Sequence, residues 1–201
     1  RIQIPYHCNV RCDRVNEELV RHMRQTGCSC VTFAIESGND EYRKTYLNRD
    51  MRNNKIIESA ALFRKYGIRL RTQNILCLPG QDLEHDIETL DLNIKCKPTM
   101  AWASILQPFP NTELAQTAID LKQWNGNIDN INKGYFDESP LSLPHKRERE
   151  LLQKLFMLAC NSKIVRFFIP ILIRIPLFKT YAKLYAWHKK RVYKKLYEAI
   201  N

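Results

Sequence analysis

The stretch Cys30-Val31-Thr32-Phe33-Ala34-Ile35-Glu36-Ser37-Gly38 decides the fold, because an apolar, β-branched run stops at a carboxylate, a hydroxyl and a glycine. β-branched and aromatic residues favour packed strands, and a nearly continuous apolar run is typical of a parallel strand covered on both faces. Open parallel sheets and α/β barrels bind ligands beyond the carboxyl ends of their strands. The sequence therefore predicts a functional site at Glu36.

The segments on either side of this strand alternate between strand and helix patterns. Strands are predicted at residues 1–7, 69–78 and 100–107, and helices at 15–26, 54–66 and from 83 through at least 94. The helices show apolar residues at spacings of three and four, and the strands are apolar runs bounded by glycine or proline. Because no hairpin signal separates the strands, right-handed crossovers should join them in parallel. The pattern predicts an α/β fold, either an open sheet or part of a barrel.

The pattern changes after Glu113. Residues 120–145 are rich in Asn, Gly, Asp and Pro and predict a long surface connection. Apolar spacing predicts amphipathic helices at 148–160 and 181–200, whereas two prolines interrupt the apolar run at 167–178. The predicted regions are a strand-and-helix body at 1–114, a connecting region at 115–145 and a helical, basic C-terminal extension at 146–201.

The net charge of +11 is concentrated at the C-terminal end of the chain. From Lys163 onward ten basic residues stand against Glu198 alone, which leaves only +2 for the first 162 residues. A basic tail on a nearly neutral body indicates an anionic partner for the tail. Three interpretations stay open: docking to an anionic membrane with Trp187 and the tyrosines at headgroup level, binding of an RNA backbone, or packing of residues 167–178 on the body with solvated lysines.

The number of cysteines and the lengths of the apolar runs limit the class of protein further. The odd count of seven cysteines in a chain of 201 residues favours reduced thiols in a cytoplasmic protein over a disulfide framework. No apolar run reaches the roughly 18 residues that a membrane span needs. The sequence opens with Arg1 inside a predicted strand, so we expect it to be part of a longer protein.

Five motifs follow one another in the first part of the chain. They are Phe33-Ala34-Ile35-Glu36-Ser37-Gly38-Asn39, Leu47-Asn48-Arg49, Gly67-Ile68, Asn74-Ile75-Leu76-Cys77-Leu78-Pro79-Gly80-Gln81 and Gln107-Pro108-Phe109-Pro110-Asn111-Thr112-Glu113-Leu114. Together they resemble the second half of a radical SAM core, in the branch that pairs this core with a cobalamin-binding domain. The resemblance covers residues 1–114.

The resemblance implies a partial TIM-type (β/α)6 barrel, to which this chain would supply strands three to six. In the family the first strands hold a 4Fe-4S cluster through a Cys-x3-Cys-x2-Cys loop, and the reduced cluster cleaves S-adenosylmethionine to a 5′-deoxyadenosyl radical. The cluster ligands and the cobalamin domain would belong to the missing N-terminal half of the same enzyme. The implied function is radical SAM catalysis, by methyl transfer or ring formation on an unknown substrate, with this chain inactive on its own.

The resemblance also implies a set of cofactor-binding residues. Glu36 and Ser37 would contact the ribose and methionine part of S-adenosylmethionine, and Ile75 would lie near the adenine. Arg49 would pair with the methionine carboxylate, because a guanidinium suits planar, bidentate recognition of a carboxylate. Gln107, from the last motif, completes the set.

Other interpretations of these residues stay open. From residue types alone, Glu36 could cap a neighbouring helix or pair with Arg71, and Arg49 could be an ordinary solvated charge. Cys8 and Cys12 imitate the start of the cluster motif, but its third cysteine is absent, so we interpret both as packing residues. The alternative function is a non-catalytic module that docks to a membrane surface, or to RNA, through its basic C-terminal helices.

Three positions depart from the family pattern. Cys77 stands where the family usually has glycine, Gln81 where it often has glutamate, and Asn111 where Pro-Gly-Thr is usual. Each departure bears on the geometry of the cofactor site. Asp82 and Glu84, by contrast, are explained by capping of a helix N-terminus.

Overall fold

The computed structural model describes residues 4–132 and 134–197. Its strands are β1 (Tyr6–Asn9), β2 (Cys28–Glu36), β3 (Arg69–Leu76) and β4 (Met100–Ile105). Its α-helices are α1 (Glu17–Gln25), α2 (Asp40–Tyr46), α3 (Asn53–Lys65), α4 (Leu83–Cys96), α5 (Glu113–Asp120), α6 (Lys146–Asn161), α7 (Lys163–Leu172) and α8 (Phe178–Tyr197). Short 3-10 helices lie at Cys12–Arg14 and Ile128–Asn130.

The four strands form one parallel sheet in the order β1-β2-β3-β4. Because this order follows the chain, each right-handed crossover advances in the same direction and places its helix on the same face of the sheet. Helices on one face, with the other face turned inward, are the arrangement of a (β/α) barrel. The structure therefore confirms the predicted α/β fold, a partial barrel of parallel strands followed by a helical C-terminal region.

The helix-covered face of the sheet carries two large apolar clusters. Val31, Phe33 and Leu70 pack against side chains of α1 and α3 in the first cluster. Ala103 and Ile105 of β4 pack against α4 and α6 in the second. Removing this apolar surface from water is the main force that holds the helices on the sheet.

The opposite face of the sheet is more polar. Side chains alternate along a strand, so Thr32 and Ala34 point away from the helix-covered face. The strand register places Thr32 beside Arg71, and Ala34 beside Gln73. This second face is the one that would line the interior of a barrel.

Helix α8 covers the beginnings of the strands on this second face. Val192 and Leu196 are buried against Cys30 and Met100, which lie near the N-terminal ends of β2 and β4. The guanidinium of Arg69 donates a hydrogen bond to the carbonyl of Leu196 at 3.3 Å. The carboxyl ends of the strands lie beyond this contact, so α8 leaves the predicted site edge uncovered.

The C-terminal helices agree in part with those predicted from the sequence. The helices predicted at 148–160 and 181–200 correspond to α6 and α8, although residues 198–200 lie outside the described part. The prediction that proline interrupts the run at 167–178 is wrong for Pro170, which lies inside α7. Pro170 lacks the N–H that would bond to the carbonyl of Arg166, so α7 continues past it with one backbone hydrogen bond fewer.

Other boundaries differ for local reasons. β1 is Tyr6–Asn9 rather than 1–7, since it begins only after Pro5, and residues 1–3 lie outside the described part. The sequence pattern does not predict α2 or α5, because both are short and α2 is largely charged. Asn39 and Thr112 cap these two helices by accepting backbone hydrogen bonds. The predicted boundary between regions at 114 and 115 falls inside α5.

Candidate active site

Glu36 is the last residue of β2 and leaves the strand with a φ of 64°. Its Oε1 lies 3.3 Å from Nη2 of Arg49, and the two side chains are 17% and 33% exposed, respectively. Burial raises the pKa of the Glu36 carboxyl, and the Arg49 charge offsets part of this rise. The carboxylate therefore pairs with Arg49, not with Arg71, at the open edge of the sheet.

The loop that carries Arg49 is organised by Arg43, whose guanidinium is fully buried. It donates hydrogen bonds to the backbone carbonyls of Ser37 and Met51 and to side-chain oxygens of Asp40 and Asn53. The backbone N–H of Arg49 donates to the carbonyl of Arg43 at 2.9 Å. Because a buried cation must be satisfied by acceptors, Arg43 fixes the loop around itself and so positions Arg49. The sequence analysis missed this role, since a single arginine in a charged stretch does not indicate burial.

Gly38 allows the turn after Glu36 to lie directly against α4. A Cβ at this position would come within 2.5 Å of backbone atoms of Glu88 and Thr89. The N–H of Gly38 also donates to Oγ1 of Thr89 at 2.7 Å. The glycine of this motif is therefore required by close contact with α4, and that contact fixes the backbone beyond Glu36.

Ser37 is fully buried and joins two loops. Its Oγ accepts hydrogen bonds from Nε2 of Gln81 at 3.1 Å and from the backbone N–H of Asn39 at 3.2 Å. Oε1 of Gln81 is buried and has no hydrogen-bond partner among the described residues. Ser37 thus faces the loop after β3, and its direct contact with S-adenosylmethionine stays a prediction.

Ile75 lies at the same edge of the sheet as Glu36. The register pairs Glu36 with Asn74, the residue immediately before Ile75. Ile75 is half-buried against an apolar cluster that includes Trp124. The structure therefore places an apolar side chain one strand away from the Glu36 carboxylate.

Gln107 lies just beyond β4 and is almost completely buried. Its Oε1 accepts a hydrogen bond from the backbone N–H of Asn132 at 3.0 Å, and its Nε2 donates to the carbonyl of Glu138 at 3.2 Å. Both side-chain groups thus hold the connecting segment against the sheet. The predicted contact of Gln107 with the cofactor stays a prediction.

Two departures from the family pattern share one backbone feature. Cys77, at a usual glycine position, has a φ of 61°, and Asn111 has a φ of 63°. This left-handed region favours glycine, and asparagine is among the residues that tolerate it best. The backbone N–H of Cys77 lies 3.3 Å from both carboxylate oxygens of Asp86, which stabilises the turn. Both positions therefore keep a turn of the kind that glycine provides.

The second face of the sheet contains polar groups that the sequence analysis did not assign. Nε2 of His7 lies 2.7 Å from Oγ1 of Thr32. Burial lowers the pKa of His7, and the nearby Arg71 charge lowers it further. The guanidinium of Arg71 lies 4.8 Å above the ring of Trp102. The alternation of polar and apolar residues at 69–73 is the sequence signal that could have predicted this face.

Cys8 and Cys12 pack against the apolar core between the sheet and its helices. Sγ of Cys12 donates to Sδ of Met51 at 3.2 Å, and burial, aided by the Asp13 charge, raises the pKa of its thiol. All seven cysteines are free thiols. In the described ranges no group of three or more His, Cys, Asp or Glu side chains is arranged to hold a metal ion. The structure thus places Cys12 as a packing residue.

These elements define an α/β protein with a charged pair at the carboxyl edge of a barrel-like parallel sheet, where such folds bind their ligands. Residues 2–92 match the family described as the Radical SAM superfamily. The match contains the first four of the five motifs and covers slightly less than half of the chain.

Two curated relatives are similar to this chain. A putative methylthiotransferase from Methanocaldococcus jannaschii is 22% identical over 144 residues, which is 72% of this chain and 32% of that protein. An uncharacterized methyltransferase from Pyrococcus horikoshii is 24% identical over 118 residues, which is 59% of this chain and 26% of that protein. The chain therefore spans about a third or less of the length of these relatives.

The fold also resembles that of a solved radical SAM enzyme. Coproporphyrinogen III oxidase (HemN) from Escherichia coli superposes with a TM-score of 0.54 and 15% sequence identity. The superposition covers 82% of this chain and 32% of that enzyme. At this identity the likeness supports the partial barrel fold alone.

Proposed function

We propose that this chain forms part of the S-adenosylmethionine site of a radical SAM enzyme. The observation that carries the proposal is the Glu36–Arg49 pair at the carboxyl edge of β2, within the residues that match the superfamily. The two relatives, named as a methylthiotransferase and a methyltransferase, support transfer of a methyl or methylthio group as the reaction.

The Glu36–Arg49 pair suits a ligand that carries both a carboxylate and an amino group. Its separation of 3.3 Å exceeds the roughly 2.7–2.9 Å of a strong charge-assisted hydrogen bond, and both side chains keep some exposure. Arg49 therefore has N–H donors to offer a carboxylate, and Glu36 can accept from an amino or ribose hydroxyl group. Ile75 supplies apolar surface for the adenine.

In this proposal Ser37 and Gln107 hold neighbouring segments in place around the site. Ser37 holds the loop after β3 beside the turn that follows Glu36, and Gln107 holds the connecting segment beside β4. Both side chains are buried, so they keep the edge of the sheet in a fixed shape. A preformed edge lowers the entropic cost of ordering the site around its ligand.

The 4Fe-4S cluster, when bound and reduced, supplies the electron that cleaves S-adenosylmethionine. We place its cysteine ligands, and the cobalamin-binding domain of the related branch, in a further part of the same enzyme. β1 pairs with β2 alone among the described strands, and His7 and Asn9 of β1 are exposed. This open edge can accept a further parallel strand. On this account the chain alone binds S-adenosylmethionine without cleaving it.

Titration of the 201-residue chain with S-adenosylmethionine by isothermal calorimetry tests the proposal. We expect a dissociation constant of about 1 mM or tighter, corresponding to about 4 kcal/mol. Glu36→Gln and Arg49→Met should each weaken binding about tenfold, because each removes one charge-assisted interaction.

Two exposed residues provide matched controls for these variants. Glu58→Gln on α3 and Arg24→Met on α1 make the same chemical changes away from the edge of the sheet. Both should bind S-adenosylmethionine as the parent chain does. Equal affinity in all five proteins, or no binding by the parent chain at millimolar ligand, would contradict the proposal.

A further inference from the structure

Helix α7 is apolar on more than one side, with Lys163 and Arg166 as its only charged residues. Val165, Ile169 and Leu172 on one side, followed by Ile173, pack into the core shared by β4, α4 and α6. Ser162 caps its first turn, since the hydroxyl accepts from the backbone N–H of Val165 at 3.4 Å. A helix that is apolar on more than one side is normally covered on each of those sides. The side of α7 that faces away from the core therefore requires an explanation.

The outward side of α7 carries a continuous apolar ridge. We define the α7 ridge as Ile164, Phe167, Phe168 and Ile171, which share one helical face by their spacings of three and four. Their exposed fractions are 73%, 76%, 43% and 57%, respectively. Ile175 and Leu177, in the turn after α7, are also exposed and extend the same apolar surface along the chain. Contiguous exposed apolar surface of this kind marks an interaction site.

The charged residues of the segment that carries the α7 ridge are all basic. Between residues 163 and 197 the sequence contains ten Lys or Arg residues and no Asp or Glu. Exposed Lys163 precedes the ridge, and exposed Arg174 and Lys179 follow it. Arg166 is the exception, because its guanidinium pairs with Asp91 at 2.6 Å and anchors α7 to α4. An apolar ridge with exposed basic residues before and after it in the chain is complementary to an anionic lipid surface.

The aromatic residues of α8 argue against RNA as the partner. Tyr181 is buried in the core, and Tyr185 and Tyr193 pack beside the buried Val192 and Leu196. Base stacking needs exposed aromatic faces, which these tyrosines do not present. For the same reason Tyr181, Tyr185 and Tyr193 are not the residues that would contact lipid headgroups, and the side chain of Tyr197 lies outside the described part. Trp187 alone of the described α8 aromatics is strongly exposed, at 52%.

We propose that the α7 ridge docks this protein on an anionic bilayer, with α7 lying in the plane of the interface. The phenylalanine and isoleucine side chains would enter the headgroup boundary, while Lys163, Arg174 and Lys179 contact lipid phosphates. Among the described residues no helix is both long and apolar enough to cross a bilayer. Docking does not use the Glu36–Arg49 pair, because no residue of the α7 ridge belongs to that site.

Co-sedimentation of the whole chain with vesicles tests this proposal. We expect binding to vesicles of phosphatidylcholine with phosphatidylglycerol, and at least about tenfold weaker binding to phosphatidylcholine alone. The double variant Phe167→Ser/Ile171→Ser should lose at least about tenfold in partitioning to the anionic vesicles, because two large apolar contacts are removed. Raising the salt concentration should weaken binding of the parent chain.

Ile128→Ser is the matched control, because Ile128 is 61% exposed on another part of the surface. It should bind vesicles as the parent chain does. Absence of binding to anionic vesicles, an equal loss in Ile128→Ser, or full binding by the double variant would each overturn the proposal. It would also fail if the parent chain were a dimer that the double variant converts to a monomer, or if it bound single-stranded RNA in preference to vesicles.

Discussion

At the scale of single residues, the site depends on the carboxylate of Glu36, whose backbone conformation and burial are both energetically unfavourable. Glu36 has a left-handed backbone and a largely buried side chain, and Arg49 offsets part of its charge. Strain of this kind is concentrated at functional sites, where surrounding contacts maintain it. Here Arg43 and Gly38 provide those contacts, by fixing the loop and its approach to α4.

The raised pKa of Glu36 predicts how stability depends on pH. Because the folded state holds this proton more tightly than the unfolded state, ionisation of Glu36 favours unfolding. Relative to Glu36→Gln, the parent chain should therefore lose free energy of unfolding as the pH rises from about 4 to about 7. Urea denaturation across this range measures the difference, with Glu58→Gln as an exposed control. A difference that stays constant, or that favours the parent chain as the pH rises, would show the pKa to be unshifted or lowered.

Gly38→Ala should destabilise the protein by about 3 kcal/mol, because its Cβ would overlap the backbone of α4. Gly67→Ala is the matched comparison, since Gly67 has a φ of 66° but nothing within 4 Å of an added Cβ. Gly67→Ala should lower the free energy of unfolding by only about 1 kcal/mol, from backbone strain alone. Thermal or urea unfolding of the two variants separates close contact from strain. Equal losses in both would mean that α4 does not constrain the turn after Glu36.

At the scale of elements, the loop after β3 is tied to the C-terminal helices by a buried ion pair. The guanidinium of Arg149 on α6 contacts both carboxylate oxygens of Asp86 on α4, at 2.6 and 3.2 Å. It also donates to the carbonyl of Gln81 at 2.7 Å. Because the Asp86 carboxylate lies beside the N–H of Cys77 as well, one pair joins β3, α4 and α6.

Arg149→Met should lower the free energy of unfolding by about 3–5 kcal/mol, because it leaves the Asp86 charge buried and unpaired. Asp86→Asn added to this variant should recover part of the loss. Arg166→Met removes the exposed pair with Asp91 and should cost less than about 1 kcal/mol. Urea unfolding of the four proteins gives these values. If Arg149→Met lowered the free energy of unfolding by less than Arg166→Met does, the buried pair could not be a major source of stability.

The regular elements could be predicted from sequence because their apolar spacing is local. The interval from Asn53 to Cys96 shows this, since apolar periodicity and the Asp82 cap delimit α3 and α4 closely. Glu36, Arg49 and Ile75 came from motif resemblance, and the structure brings Glu36 and Arg49 together. Arg43 and the Asp86–Arg149 pair could not be predicted, because their burial depends on contacts between residues far apart in the chain.

At the scale of the whole molecule, the C-terminal helices share their core with the sheet. Leu151, Leu155 and Ile169 lie in the same apolar cluster as Ala103 and Ile105. The basic tail is therefore a folded part of the body, with α8 against the second face and the α7 ridge turned outward. Sequence could predict the charge and apolarity of this region, but which side of α7 faces the core is decided only by packing.

Hydrogen–deuterium exchange of the chain with and without saturating S-adenosylmethionine tests the central claim most directly, because it locates the ligand on the fold. The account predicts slower exchange at the ends of β2 and β3, in residues 34–38, 49–51 and 75–78, with no change at residues 163–172. The same experiment on Glu36→Gln at equal ligand concentration should show less protection. Protection confined to α7 and α8, or bound ligand that leaves the strand ends unchanged, would contradict the account.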